Sequence, residues 1–110
     1  MYVRCAYFEG DVAPENREKF NRFFEEEAVP LINQFPGIRG VRLLRSEWRE
    51  EGAPNVYQAI ELTFDSREDV EAALASPARE KNLENTRNSG IMELFDGTVR
   101  HINFAVPAYR

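Results

Sequence analysis

The 110-residue chain has only one cysteine and one histidine. A lone cysteine cannot form a disulfide within the chain, and zinc sites built from two or more cysteines of one chain are excluded. A single histidine likewise excludes a centre that needs several imidazoles. Glycine-rich phosphate loops and the spacings of hydrolytic triads are also missing. We therefore predict no metal site and no cofactor.

Positive charge is in deficit as well, because 14 basic and 19 acidic residues give a formal net charge of −5 at pH 7. Nucleic-acid-binding domains usually present a basic face, so we expect no nucleic acid partner, and the net charge is also unfavourable for anionic ligands. No apolar run approaches the roughly 20 residues of a membrane span, and no secretory leader pattern is present. We expect a cytoplasmic protein, not bound to membranes, with a single domain over residues 1–110.

Four segments have the β-branched and aromatic residues, and the flanking turn residues, that are typical of strands. They are residues 2–9, 38–48, 56–64 and 98–106. Alternation in the third segment predicts that Ile60 and Leu62 point to one side of a sheet. Glu61 would then point to the other side, together with Tyr57.

Helical periodicity begins at Pro14, where apolar residues start to recur at three- and four-residue spacing, and continues to Phe35. Pro30 lies inside this pattern. Its ring clashes with the preceding turn, so we expect it to kink or divide the helix near Val29.

Two serines mark the later helices. Ser66 precedes an amphipathic segment and has Asp69 three residues on, which is the spacing of a capping box with the shorter acid. Ser76 is followed by a proline, and the helix that it begins should end at Gly90. Residues 91–97 are ambiguous between a tight hairpin turn and an irregular helical end, and we favour the second.

The predicted order β-α-β-β-α-β is that of a ferredoxin-like α+β fold, in which two helices cover one face of a four-stranded antiparallel sheet. Apolar residues nevertheless occur on both faces of the strands. A bare face of that kind would exceed the apolar patch that a monomer usually tolerates. We therefore expect a homodimer with the two sheets facing each other.

Four short segments resemble the EthD-like family of the dimeric α/β-barrel superfamily. They are AVPL at 28–31, FPGI at 35–38, ELTFDSRE at 61–68 and AALASP at 72–77. The resemblance implies a dimeric α/β barrel that binds a hydrophobic or aromatic-derived metabolite between helices and sheet. It also implies a catabolic setting such as isomerisation, ring closure, cofactor-free oxygen chemistry or a role beside an oxygenase. One departure is that many EthD-like sequences read His-x-Pro where this chain has Ala28 and Pro30, so that histidine's role cannot be transferred.

The chemistry could then rest on Glu61 or His101 as proton-transferring groups, with Tyr7 and Tyr57 orienting a substrate. A strand carboxylate with a raised pKa and an imidazole that titrates near neutrality are suited to acid–base work. The four residues need not all share one face. This set is the predicted site.

Each candidate also has a purely structural interpretation. Glu61 could form an ion pair with Arg4 or Arg42, and Cys5 could be an inert buried thiol rather than a nucleophile. His101 could serve a dimer interface, and nothing in the sequence favours the haem-binding role that some superfamily relatives suggest. The alternative to an enzyme is therefore a non-catalytic dimeric binding or accessory module.

Overall fold

Four strands form one antiparallel sheet in the computed structural model, which describes residues 1–110. The strands are β1 (Tyr2–Val12), β2 (Gly40–Arg45), β3 (Val56–Phe64) and β4 (Phe95–Ala105). They lie in the order β2-β3-β1-β4, with the two long strands β1 and β4 paired along their whole length. The helices fall between β1 and β2 and between β3 and β4, so the predicted ferredoxin-like order is confirmed.

The helices begin and end where local chemistry favours it. They are α1 (Arg17–Phe23), α2 (Val29–Ile32), α3 (Arg67–Leu74) and α4 (Pro77–Ser89). The hydroxyls of Ser66 and Ser76 each accept a hydrogen bond, at 3.2 Å, from the backbone N–H three residues later. Gly90 ends α4 at a φ of 70°, in the left-handed region that favours glycine. None of the helices is both long and apolar enough to span a bilayer.

The first helical region is continuous but changes its winding. A π-helical turn at Phe24–Ala28 joins α1 to α2, and Pro30 lies in the first turn of α2. A π-helical turn contains an extra residue, which is one of the known ways to interrupt the regular hydrogen-bond ladder. The predicted disturbance near Val29 is therefore present one turn earlier, and the helix ends at Ile32 rather than at Phe35.

Three of the four strands have bounds that differ from the predicted ones. β2 is shorter than predicted. β1 extends to Val12 and β4 begins at Phe95, and Gly10 and Gly97 lie opposite each other in this added stretch of pairing. A Cβ atom built on either glycine would lie within 2.2 Å of the other strand's backbone. Only the absence of both side chains permits this approach. The Asp96–Gly97 pair is thus inside a strand, which follows the irregular helical turn Ile91–Leu94.

The helices cover one face of the sheet and leave the other uncovered. The helix face carries the apolar side chains that pack beneath the helices, including Phe8, Ile60, Leu62 and Phe64, and these belong to one cluster with Phe20. The open face is formed by the residues that alternate with them: Val3, Cys5, Tyr7, Arg42, Leu44, Ala59, Glu61, Thr63, Arg100, Ile102 and Phe104. The molecule is accordingly a slab 19 Å thick, against 39 and 36 Å in the other directions.

Candidate functional site

A cleft of about 270 Å³ lies between the helix face of the sheet and the helices. Its floor is formed by β1, β3 and β4 and its roof by the helical segments. Most of the lining side chains are apolar: Ala6, Phe8, Phe24, Ala28, Ile32, Phe35, Ile60, Leu62, Leu74, Leu83, Met92 and Val99. Such a concave apolar space with a few polar groups is the usual form of a small-molecule site.

The composition of α4 explains why this space stays open. Its 13 residues include only one large aliphatic side chain, Leu83, and none of them is buried. The face that it turns to the sheet presents Arg79, Asn82, Leu83 and Thr86, which recur at helical spacing. Because none of the α4 side chains is buried against the sheet, this helix does not close the space beneath it, as a row of buried leucines would.

His101 lies at the edge of this cleft, on β4 opposite Ala6 of β1. The residue is exposed on its outer side. Partial desolvation against the cleft wall, and then the positive charges of Arg4 and Arg79, lower the pKa of the imidazole. His101 is therefore neutral at pH 7, with a ring nitrogen free to accept a proton or a hydrogen bond.

Two arginines accompany the histidine. Arg4 Nη1 donates to Asn103 Oδ1 at 3.0 Å, and Arg79 Nη1 donates to the backbone oxygen of Leu74 at 3.2 Å. Desolvation, followed by the charge of Arg79, lowers the pKa of Arg4. Neither guanidinium takes part in an ion pair. Asn82, which also lines the cleft, has a buried Oδ1 without a hydrogen-bond partner.

Glu61 lies outside this cleft, on the open face. Arg42 on the neighbouring strand donates to Glu61 Oε1 from Nη2 at 2.5 Å and from Nε at 3.0 Å. Of the two partners that the sequence left open, Arg42 is therefore the one in contact. Arg4 points to the helix face because it lies opposite Leu62.

Cys5 and Tyr7 share the open face with Glu61. Cys5 lies opposite Glu61 on one side and opposite Ile102 on the other, and only 3% of its surface is exposed. Desolvation raises the pKa of the Cys5 thiol, so the reactive thiolate is disfavoured. Desolvation and a hydrogen bond with Cys5 also raise the pKa of Tyr7. This arrangement agrees with the interpretation of Cys5 as an inert thiol.

Tyr57 does not share the face of Glu61, contrary to the alternation read from the sequence. The pairing of β1 with β3 shifts between Phe8, which faces Gln58, and Glu9, which faces Val56. Tyr57 is the extra residue of this bulge, and a bulge re-aims the side chain that it carries. The ring packs on Phe20 at 5.6 Å between centroids, and the hydroxyl donates to Asn21 Oδ1 at 2.6 Å.

The four predicted site residues are therefore dispersed. His101 alone lines the cleft, Glu61 and Tyr7 lie on the open face, and Tyr57 is bound to α1. Arg4, Arg79 and Asn82 also line the cleft, although none of them belongs to the predicted site. For Arg79 and Asn82 a signal was present, since both lie on one face of a helix with few apolar side chains. No group of three or more His, Cys, Asp or Glu side chains is placed to hold a metal ion.

No family model matches the chain. It is 24% identical over 85 residues to an uncharacterized 11.0 kDa protein in the thcB–thcC intergenic region of Rhodococcus erythropolis. The matched region covers 74% of this chain and 82% of that protein.

Solved structures are similar over almost the entire chain. An EthD family protein of Bacillus halodurans has a TM-score of 0.74 at 17% identity and covers 96% of this chain and 99% of its own. A dimeric protein of ferredoxin-like fold from Bacteroides fragilis has a TM-score of 0.64 at 17% identity, over 96% and 95% of the two chains.

SnoaB, a cofactor-independent oxygenase of Streptomyces nogalater, has a TM-score of 0.61 at 22% identity, over 98% of this chain and 94% of that chain. At these identities the likeness is one of fold. It confirms the EthD-like resemblance at that level.

Proposed function

We propose that the chain binds a small, largely apolar metabolite in the cleft between the helices and the sheet, in the manner of an EthD-type protein of small-molecule catabolism. The observation that carries this proposal is the cleft itself, with apolar walls and one edge formed by His101, Arg4 and Arg79. Its volume of about 270 Å³ is just below the range of about 300–1,000 Å³ that is usual for ligand pockets. A ligand smaller than a typical drug is expected.

His101 is the group that we propose for proton transfer. A neutral imidazole at the edge of the cleft can accept a proton from a bound ligand and return it later, and its lowered pKa keeps it in the basic form at neutral pH. Glu61 does not lie in the cleft and forms an ion pair with Arg42, so we assign it a structural role rather than a catalytic one. The similarity to a cofactor-independent oxygenase is a precedent for chemistry on this fold without a bound cofactor.

The second candidate is a non-catalytic binding or accessory module. Alanine at position 28, where many EthD-like proteins have histidine, favours it, and so does the ion pair that occupies Glu61. In that case His101 would serve as a hydrogen-bond acceptor for the ligand. The two candidates differ in whether the bound ligand is converted.

The open face is the proposed homodimer interface in either case. Leu44, Ile102 and Phe104 on this face are 40%, 47% and 40% exposed. A slab of one sheet and one helical layer leaves such groups in water, whereas pairing two slabs would give them a shared core. Dimeric proteins among the structural neighbours support this arrangement.

A ligand-library thermal-shift screen on the full chain tests the proposal, because a ligand that prefers the folded state raises its Tm. Leu83→Trp should fill part of the cleft and reduce the shift, whereas Leu31→Trp, outside the cleft lining, should leave it unchanged. Glu61→Gln should also leave it unchanged. A screen without any cleft-dependent shift would refute the binding function.

Catalysis requires a second measurement on the ligands found. Product formation by the wild type, lost in His101→Gln with ligand binding retained, would support the enzyme. Binding without turnover in the wild type would favour the accessory module.

A further inference from the structure

Two arginines face the cleft without a carboxylate partner. Eight other arginines of the chain form ion pairs with Asp or Glu. Arg4 and Arg79 instead bind a side-chain amide and a backbone carbonyl. The chain has 19 acidic residues, but the cleft lining contains neither Asp nor Glu.

The positive charge of these two arginines is not balanced by any carboxylate in the cleft lining. Desolvation and then the charge of Arg79 lower the pKa of Arg4, and desolvation and then the charges of both arginines lower the pKa of His101. Cations beside apolar surface lose part of their hydration, and no carboxylate of the protein forms an ion pair with either arginine. Clusters of uncompensated like charge at a cleft are typical of sites that a ligand of opposite charge completes.

The donors that remain free have a shape as well as a charge. Each of the two arginines uses only Nη1 for its bond within the protein. The rest of each planar guanidinium still carries N–H groups, whose fork geometry matches the two oxygens of a carboxylate. The cleft beyond them is apolar, with Phe24, Ile32 and Met92 in its walls.

We propose that the ligand of this cleft is a small amphipathic carboxylate, with its carboxylate bound by Arg4 and Arg79 and its hydrocarbon part among the apolar walls. This inference rests on the proposed binding function and adds the substrate class. The anion neutralises the two arginines, while His101 stands at the same edge of the cleft and can act on the adjoining carbon or oxygen atoms. The net charge of −5 does not oppose this, because the surface carboxylates are screened beyond about 10 Å and many are already paired.

Three probes that share one hydrocarbon part test the charge preference: 3-phenylpropanoate, 3-phenylpropanamide and 3-phenylpropylamine. Binding to the full chain is measured by titration with amide NMR shifts. We expect the carboxylate to bind at least about 10-fold more tightly than the amide, the ratio of one charge-assisted hydrogen bond, and the amine to bind most weakly. The shifts should map to residues around Ala6, Leu83 and His101.

Arg4→Gln and Arg79→Gln should each weaken the carboxylate about 10-fold and leave the amide unchanged. Arg87→Gln removes the same charge from the exposed side of α4, where Arg87 lies 3.9 Å from Glu80, and should change neither. Arg79→Lys keeps the charge without the planar fork, so intermediate binding of the carboxylate is expected even if a glutamine variant folds poorly.

Equal binding of the carboxylate and the amide, or equal loss in the Arg87→Gln control, would overturn the carboxylate assignment while the cleft remained a binding site. If no probe binds, the carboxylate assignment also fails. The library screen described above then decides separately whether the cleft binds any ligand, so the two proposals can fail independently.

Discussion

The helix face and the open face of the sheet come from the same four strands but end in different surroundings. On the helix face Phe64 is 1% exposed and Leu62 6%, because the chain's own helices cover them. On the open face Ile102 and Phe104 remain 47% and 40% exposed. Apart from the bulge at Tyr57 the same alternation supplies both faces, and the difference in exposure arises because the helices cover only one of them.

The open face and the cleft also differ in whether their charged side chains form ion pairs. On the open face Glu61 and Arg42 satisfy each other in a close ion pair. At the cleft Arg4 and His101 of the sheet and Arg79 of α4 have no carboxylate partner. An ion pair such as Glu61–Arg42 satisfies its own charges, so it is compatible with burial in the proposed dimer interface. Charged groups without a partner at a cleft are typical of a site that binds a ligand.

The largest effect is expected on the helix face. Phe20 is fully buried and contacts the rings of Phe8, Phe24 and Phe95. Phe20→Ala should lower the free energy of unfolding by about 3–5 kcal/mol, as urea denaturation followed by circular dichroism would measure. A loss below about 1 kcal/mol, the level of a typical surface substitution, would contradict the assignment of this face as the core.

The next effect concerns association rather than folding. A charge placed at Phe104 on the open face should separate the proposed dimer, so Phe104→Glu should elute with a mass near 12.7 kDa and the wild type with twice that mass in light scattering. Leu83→Glu is a matched control, because Leu83 is 38% exposed but lies on α4. The control should remain dimeric. A wild type of 12.7 kDa at micromolar concentration would remove the dimer from the proposal.

The smallest effect is a pH dependence of stability that originates at the cleft. The pKa of His101 is lowered from 6.5 on folding by desolvation, by Arg4 of β1 and by Arg79 of α4. The unfolded chain therefore binds more protons between the lowered value and 6.5, and the folded state loses stability as the pH falls through this interval.

Urea denaturation at several pH values measures this effect by comparing the wild type with His101→Gln. The substitution should flatten the dependence below pH 6.5 and leave stability above pH 7 nearly unchanged. The same slope in both proteins would show that His101 does not experience the two arginines. A bound carboxylate should reduce the slope, because it offsets their charge.

The fold was largely predictable because its signals are local. The range of β3 follows from alternation between Val56 and Phe64, and the helix starts follow from Ser66 and Ser76. In each case the deciding residues are neighbours in the sequence. Gly90 likewise ends α4 through its own backbone conformation.

The candidate site was less predictable because its signals are not local. The bulge that turns Tyr57 toward Asn21 arises from the pairing of β1 with β3, and the opposition of Gly10 and Gly97 depends on the register of β1 and β4. Which strand arginine meets Glu61 is decided by the same registers. Periodicity shows which residues share a face, but it does not show which face the helices cover.

The π-helical turn at Phe24–Ala28 has a consequence for how the ligand site could change over evolution. A π-helical turn accommodates one extra residue locally, so deleting a residue there would restore a regular α-helix in which Ala28 and Ile32 keep their orientation relative to α1. Both line the cleft. A single-codon deletion within this turn would thus shorten the helical roof by one residue while these two side chains stayed in the cleft wall.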